Sequence, residues 1–131
     1  MGPRLLDSSV LIALVVADHE HHERATRWRA TVEAVATCPI TEGALARFLV
    51  RVGESKTVIK EILTALHQVP GHVFWPDDVS YVDLDLSGVR GYRQVTDAYL
   101  VALAAHHGGV LSTLDEALAV CHPAAELLPS V

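Results

Sequence analysis

Short apolar segments alternate with longer helical segments along the chain, and this alternation restricts the possible folds more than any other feature. Residues 4–6 form a brief apolar run that ends at Asp7 and two serines, residue types that begin helices. The pattern predicts strands at residues 4–6, 35–38, 72–75, 110–112 and 125–128. It predicts helices at residues 10–16, 19–34, 41–52, 56–68, 96–107 and 115–120, although 10–16 is apolar enough for a strand. Strands that alternate with helices favour an α/β fold with a mostly parallel sheet.

The size and composition of the chain fit one domain, which we expect to span residues 1–131. Half of the residues are hydrophobic, and the longest apolar stretch, residues 10–17, is too short to cross a bilayer. An acid as early as Asp7 argues against a secretory signal. Cys38 and Cys121 are too few for a disulfide framework, so both are predicted to be reduced core residues. These features predict a cytoplasmic protein without a membrane partner.

Four acidic residues lie where predicted strands end or predicted helices begin. Asp7 follows the first strand, Glu42 follows the second, and Asp115 follows the fourth. Asp97 begins the helix that leads into the fourth strand. Sites in open α/β sheets form outside the carboxyl ends of the strands. The four side chains can therefore meet in one pocket if their helices begin at the same edge of the sheet.

An ordinary structural role competes with this interpretation, because acids in the first turn of a helix favour its dipole and cap free N–H groups. That role is most natural for Asp7 and Asp115. It is weaker for Glu42, which continues the buried face of its helix. It is also weaker for Asp97, since an acid at the head of a nearly all-apolar helix needs a partner.

Clustered carboxylates repel one another, and a bound cation removes that repulsion. At ~4 Å and an effective dielectric near ~20, each like-charged pair costs roughly 4 kcal/mol. Hard oxygen ligands select Mg²⁺ or Mn²⁺ over zinc, and such a site suits phosphoryl transfer on a polyanion. The net charge of −6 lowers the expectation of nucleic-acid binding, but a cation at the acids would cancel much of this charge.

The motifs around these acids resemble those of the PIN-domain ribonucleases, specifically the VapC toxins of bacterial toxin–antitoxin pairs. The resemblance covers essentially the whole chain, and no departure falls on a matched acid. The matched motifs are Leu6-Asp7-Ser8-Ser9, His21-His22-Glu23-Arg24, Thr41-Glu42 with Arg47-Phe48-Leu49, Val95-Thr96-Asp97-Ala98, and Thr113-Leu114-Asp115.

This resemblance implies a three-layer α/β/α sandwich around a central, mostly parallel sheet. It implies Mg²⁺- or Mn²⁺-dependent endonucleolytic cleavage of RNA, homodimers, and inhibition by a small antitoxin that covers the site. It also implies that Asp7 and Asp97 are the main metal ligands and that Asp115 ligates through a water or holds a second ion. Glu42 would ligate the metal or position the attacking water.

Hydroxyl and basic side chains near the acids are further candidates. The resemblance implies that Thr113 and Ser8 hydrogen-bond the carboxylates or a bound water. Arg90 and Arg93 precede Asp97 on the predicted loop side. There they either bind phosphates of RNA or form ordinary solvated surface.

The histidines are predicted to have structural roles. His19, His21 and His22 resemble a metal cluster, but only His19 and His22 share a helix face and no third ligand is evident. We therefore expect them to form an exposed helix start. His106 and His107 lie at a helix C-terminus, where a cation is favourable, so they are expected to cap that helix.

Three other functions compete with a nuclease. One is an Mg²⁺-dependent phosphatase, although the haloacid-dehalogenase type has an Asp-x-Asp motif where this chain has Asp7-Ser8-Ser9. Another is a non-catalytic receiver-like or small-molecule-binding module, and a third is a regulatory subunit without turnover. No glycine-rich nucleotide-binding motif is present.

Overall fold

The structure is a computed structural model that describes residues 2–131, so Met1 of the predicted domain lies outside the described residues. The strands are β1 (Arg4–Leu6), β2 (Val35–Thr37), β3 (His72–Phe74), β4 (Val110–Thr113) and β5 (Glu126–Leu127). Within residues 2–131 they form one five-stranded sheet in the order β3-β2-β1-β4-β5. Every neighbouring pair is parallel, so all carboxyl ends lie at one edge.

Helices connect the strands and cover both faces of the sheet. They are α1 (Ser8–Val15), α2 (His22–Arg29), α3 (Pro39–Arg51), α4 (Lys56–Gln68), α5 (Val95–His106) and α6 (Glu116–Cys121). Short 3₁₀ turns cover Tyr81–Asp83 and Tyr92–Gln94 in the long segment between β3 and α5. None of the helices among the described residues is long and apolar enough to cross a bilayer.

Two hydrophobic cores lie on opposite faces of the sheet, because successive side chains of a strand point in opposite directions. Leu6 packs in the core formed by residues of α1 to α4, including Leu45 and Leu49. Its neighbour Leu5 packs in the other core, against Leu103 of α5 and Leu118 of α6. The predicted three-layer α/β/α sandwich is therefore confirmed.

The second helix is shorter than the predicted range of 19–34. The side chain of His19 accepts a hydrogen bond from the backbone N–H of His21 at 3.0 Å, which holds the preceding residues in turns. At the other end, the Thr31 hydroxyl donates to the carbonyl of Trp28 at 2.7 Å, and the helix ends at Arg29. The predicted helix at residues 10–16 is part of α1, which has Asp7 as its N-cap and ends at Val15, because Val16 has an extended backbone.

The cysteines differ in environment. Cys38 is buried, as predicted, and is the N-cap residue of α3, where its backbone N–H donates to the Thr41 hydroxyl at 3.2 Å. Proline at the first position of α3 starts this helix two residues earlier than predicted. Cys121 is exposed, so its prediction as a core residue is wrong. It ends the short helix α6, of which only Leu118 is buried.

Candidate active site

Three of the four predicted acids lie together at the carboxyl edge of the sheet. Asp7 directly follows β1, and Asp115 is two residues beyond β4, the parallel neighbour of β1. Asp97 lies in the first turn of α5. The parallel pairing of the two strands brings their following loops side by side, and α5 adds its N-terminal turn.

The carboxylate of Asp7 is held by several hydrogen bonds. The side chain is only 6% exposed. Its Oδ1 accepts from the backbone N–H of Ser8 at 2.9 Å, and its Oδ2 accepts from the Ser9 hydroxyl at 3.0 Å and the Thr113 hydroxyl at 2.7 Å. Ser8 was predicted to bind the carboxylate through its hydroxyl, but only its backbone N–H does so. The serine hydroxyl that contacts Asp7 belongs to Ser9, which was not predicted from the sequence. The bonds fix the orientation of a buried charged group.

Thr113 and Ser9 also connect the two loops that carry the acids. Thr113 Oγ1 accepts from the backbone N–H of Asp115 at 3.0 Å while donating to Asp7. Ser9 Oγ accepts from the backbone N–H of Leu114 at 3.2 Å. Each hydroxyl therefore acts as donor and acceptor at once, which fixes the position of the β4 loop relative to Asp7.

The pKa of Asp97 depends on its burial and on the charges around it. Burial raises the pKa of its carboxyl to about 6, and the negative charges of Asp7 and Asp115 contribute in the same direction. The nearby His122 has the opposite effect on this pKa. Asp115 is exposed and caps α6, because its Oδ1 accepts from the backbone N–H of Leu118 at 3.1 Å. The capping role and a place in the cluster are thus compatible.

A cavity of about 300 Å³ opens beside Asp97 and Asp115. Its lining includes Arg93 and His122, whereas Arg90 is exposed outside that lining. His122 was not recognised in the sequence. Its spacing of seven residues from Asp115 corresponds to two helical turns and is the signal that could have identified it.

Glu42 has a different set of partners. Its Oε2 accepts from the Thr37 hydroxyl at 2.8 Å and lies 2.6 Å from Nε2 of His67. The same hydroxyl lies 2.7 Å from Nε2 of His72, whose pKa is lowered by burial and by the proximity of His67. Glu42 is not among the groups whose charge shifts the pKa of Asp97. The structure thus joins three predicted acids and places the fourth with two histidines, at the end of the adjacent strand β2.

The other predicted histidine roles can now be compared with the structure. Among residues 2–131, the groups of ligating side chains that converge closely enough to hold a metal are Glu42 with His67 and His72, and Asp78 with His106 and His107. Neither the cluster at residues 19, 21 and 22 nor the trio of Asp7, Asp97 and Asp115 is one of them, so the three carboxylates would have to move closer together to share one ion. His106 and His107 end α5, as predicted, but their rings lie near the carboxylate of Asp78, at 3.8 and 2.8 Å.

The chemistry of the acidic cluster fits a hard divalent cation. Its side-chain donors are carboxylate oxygens, supported by the hydroxyls of Ser9 and Thr113. Burial, together with the charges of Asp7 and Asp115, raises the pKa of Asp97, and a bound cation would favour its ionised form. Oxygen donors with this excess of negative charge suit Mg²⁺ or Mn²⁺.

Comparisons with known proteins agree with this fold. The PIN domain profile matches residues 4–121. Ribonuclease VapC29 of Mycobacterium tuberculosis is 49% identical over 128 residues, which cover 96% of each protein. Ribonuclease VapC39 of the same organism is 41% identical over 125 residues, covering 88% of this chain and 90% of the relative.

Solved structures show the same architecture. The crystal structure of VapC20 from Mycobacterium tuberculosis has a TM-score of 0.69 at 19% identity, covering 96% of this chain and 99% of that one. PAE2754 from Pyrobaculum aerophilum has a TM-score of 0.62 at 20% identity, covering 96% of this chain and 83% of that one. Because the profile spans most of the chain and the relatives match it along nearly their whole length, this chain belongs to the VapC ribonucleases of the PIN-domain family.

Proposed function

We propose that this protein is an Mg²⁺- or Mn²⁺-dependent endoribonuclease that acts as the toxin of a toxin–antitoxin pair. The observation that carries the proposal is the grouping of Asp7, Asp97 and Asp115, in which burial and like charge raise the pKa of Asp97 to about 6. The mutual repulsion and partial burial of these carboxylates lower the stability of the fold unless a bound ligand compensates their charge. A divalent cation bound there lowers the pKa of an attacking water and stabilises charge on the phosphate.

The residues of the chain have distinct roles in this proposal. Asp7 and Asp97 bind the cation directly, and Asp115 binds it through a water or holds a second ion. Thr113 and the Ser8–Ser9 turn keep the Asp7 carboxylate in place through the hydrogen bonds described above.

Glu42 and the arginines act on the water and the substrate. Glu42 lies in the first turn of α3, which follows β2, and β2 is the neighbour of the strand that Asp7 follows. We assign Glu42 the orientation of the attacking water. Arg93 lines the cavity beside Asp97 and is suited to bind a phosphate of the RNA. Exposed Arg90 precedes it by three residues and would bind a neighbouring phosphate.

Several broader features belong to the same proposal. The relatives named ribonuclease VapC support RNA as the substrate. We also propose a small antitoxin protein as the partner that covers the site. VapC20, described as a sarcin-ricin loop cleaving toxin, supports the toxin role through its shared fold. We also propose a single nuclease domain over residues 1–131, a homodimer, and a cytoplasmic location.

Metal-dependent cleavage of RNA tests this function. Purified protein incubated with a mixed cellular RNA pool and Mg²⁺ is expected to give discrete fragments, and excess EDTA is expected to abolish them. The Asp7→Asn variant, purified in the same way, controls for a contaminating nuclease. Cleavage that is unaffected by EDTA would contradict the metal requirement. Hydrolysis of p-nitrophenyl phosphate without RNA fragments would instead identify a phosphatase.

A further inference from the structure

We propose that Glu42, His67 and His72 form a second metal site, selective for a transition-metal ion of the zinc class, whose occupation inhibits the nuclease. The inhibition rests on the proposed function, because it requires Glu42 to take part in catalysis. The binding itself does not.

The three side chains come from three elements and meet at one point. Glu42 is in the first turns of α3, His67 is in the last turn of α4, and His72 begins β3. One ligand atom from each residue lies within 4.8 Å of the others. Donors around a tetrahedral zinc ion, bound at ~2.0–2.2 Å, lie roughly 3.4 Å apart. Small side-chain movements therefore bring these atoms to coordination distance.

The donor types distinguish this site from the acidic cluster. Two imidazole nitrogens and one carboxylate oxygen form a ligand set typical of zinc, and they leave a fourth position for water. Mg²⁺ prefers oxygen donors alone. Mg²⁺ in the medium would therefore bind at Asp7 and Asp97, while zinc would bind at the histidines.

Neighbouring groups restrain the proposed ligands. Thr37 is fully buried, and its hydroxyl contacts both Oε2 of Glu42 and Nε2 of His72. The His67 ring lies 4.7 Å from the ring of His72 and 5.5 Å from that of Phe74, between ring centroids. Such contacts around ligands hold them in place and strengthen metal binding. The side chain of His67 is 41% exposed, so an ion can enter from solvent.

A bound ion would change the environment of Glu42. Oε2 of Glu42 already has two partners, the Thr37 hydroxyl and the His67 ring. Coordination would replace the contact with His67 and hold the carboxylate on the β3 side of the sheet. Glu42 would then no longer be free to orient water for the reaction at Asp7 and Asp97.

The group of Asp78, His106 and His107 provides an internal comparison. It also has two histidines and one carboxylate, but Asp78 and His106 are exposed. Asp78 lies 2.8 Å from Nε2 of His107 and 3.8 Å from Nε2 of His106. Its members lie on the last turn of α5 and on the segment after β3. Substitutions there serve as matched controls, since they remove the same chemical groups from a different surface.

Zinc titration followed by calorimetry tests the binding. The protein is first freed of metal with EDTA and then kept in Mg²⁺ to fill the acidic cluster. We expect one zinc ion per chain, with binding about 10- to 100-fold weaker in His67→Gln and in His72→Gln. His106→Gln is expected to bind as the wild type does. Thermal unfolding of each variant checks that it is folded. His67→Gln is expected to disturb the fold less than His72→Gln, because the His67 side chain is partly exposed.

The result that overturns the site is unchanged zinc binding in both His67→Gln and His72→Gln. Absence of binding at millimolar zinc, or loss of binding in His106→Gln instead, would overturn it equally. Cobalt substitution gives a second readout, because visible absorption of tetrahedral Co²⁺ should disappear in the His67 variant and persist in the His106 variant.

The inhibition is tested by RNA cleavage in Mg²⁺ with increasing zinc. Each variant is compared with its own zinc-free rate. We expect at least a tenfold higher zinc concentration for half-inhibition in His67→Gln than in wild type. Equal inhibition in both proteins would place the effect at the acidic cluster and overturn the coupling. A wild type that binds zinc but never cleaves RNA would refute the proposed function and leave the zinc site intact.

Discussion

Replacing Asp97 by asparagine is expected to reduce the rate of RNA cleavage at least about 10³-fold while leaving the protein folded. Asparagine has nearly the same shape, so the packing of the first turn of α5 is preserved. It lacks the negative charge that a divalent cation requires from this position. The rate is measured under single-turnover conditions with saturating Mg²⁺, so that weakened RNA binding does not obscure the chemical step.

A matched variant separates this effect from a general change in charge. Glu61 is exposed on α4, and Glu61→Gln removes one negative charge outside the acidic cluster. Its cleavage rate should stay within about twofold of wild type, in the range of an ordinary surface substitution. If Asp97→Asn cleaved RNA at the wild-type rate, Asp97 would have no part in the reaction.

The same substitution is expected to stabilise the metal-free protein above pH 6. The pKa of Asp97 is about 6 in the folded chain, compared with an ordinary value of 3.8. A raised carboxyl pKa means that folding favours the protonated form, so stability is lost as the pH rises through 6. Asparagine removes this penalty. After allowance for solvent screening at a half-buried side chain, the gain is about 1–2 kcal/mol at pH 8.

Urea unfolding of wild type and Asp97→Asn at pH 8 and pH 4, both in EDTA, measures this difference. The variant should have the larger free energy of unfolding at pH 8, and the gap should nearly close at pH 4, where Asp97 is protonated in the folded protein. Mg²⁺ at pH 8 should also narrow the gap, because it binds the wild type more tightly. A variant less stable than wild type at pH 8 would contradict a strained acidic cluster.

The positions of the acids could be predicted because they depend on local order along the chain. Asp7 directly follows β1 and Asp115 lies two residues beyond β4, and parallel neighbours place such residues at one edge. Asp97 could be identified as an acidic residue in the first turn of an otherwise apolar helix. The layers of the fold followed from the same alternation of strand and helix patterns.

Other features depended on contacts between distant parts of the chain. The pairing of Glu42 with His67 and His72 requires α4 to pack beside β3, which no spacing in the sequence specifies. The choice between Ser8 and Ser9 depends on the direction each side chain takes in the first turn of α1. These contacts depend on the tertiary structure. Sequence motifs indicate which segments lie near the site, but they do not specify which side chains touch.

The most direct test of a cation at Asp7, Asp97 and Asp115 is the binding of Mn²⁺ measured by electron paramagnetic resonance. The titration uses protein with His67→Gln and His72→Gln, so that the proposed histidine site does not contribute. We expect one ion per chain or two, and adding Asp7→Asn should weaken the binding about 10- to 100-fold and lower RNA cleavage in parallel. Equal Mn²⁺ binding and equal cleavage with and without the Asp7 carboxylate would contradict the account.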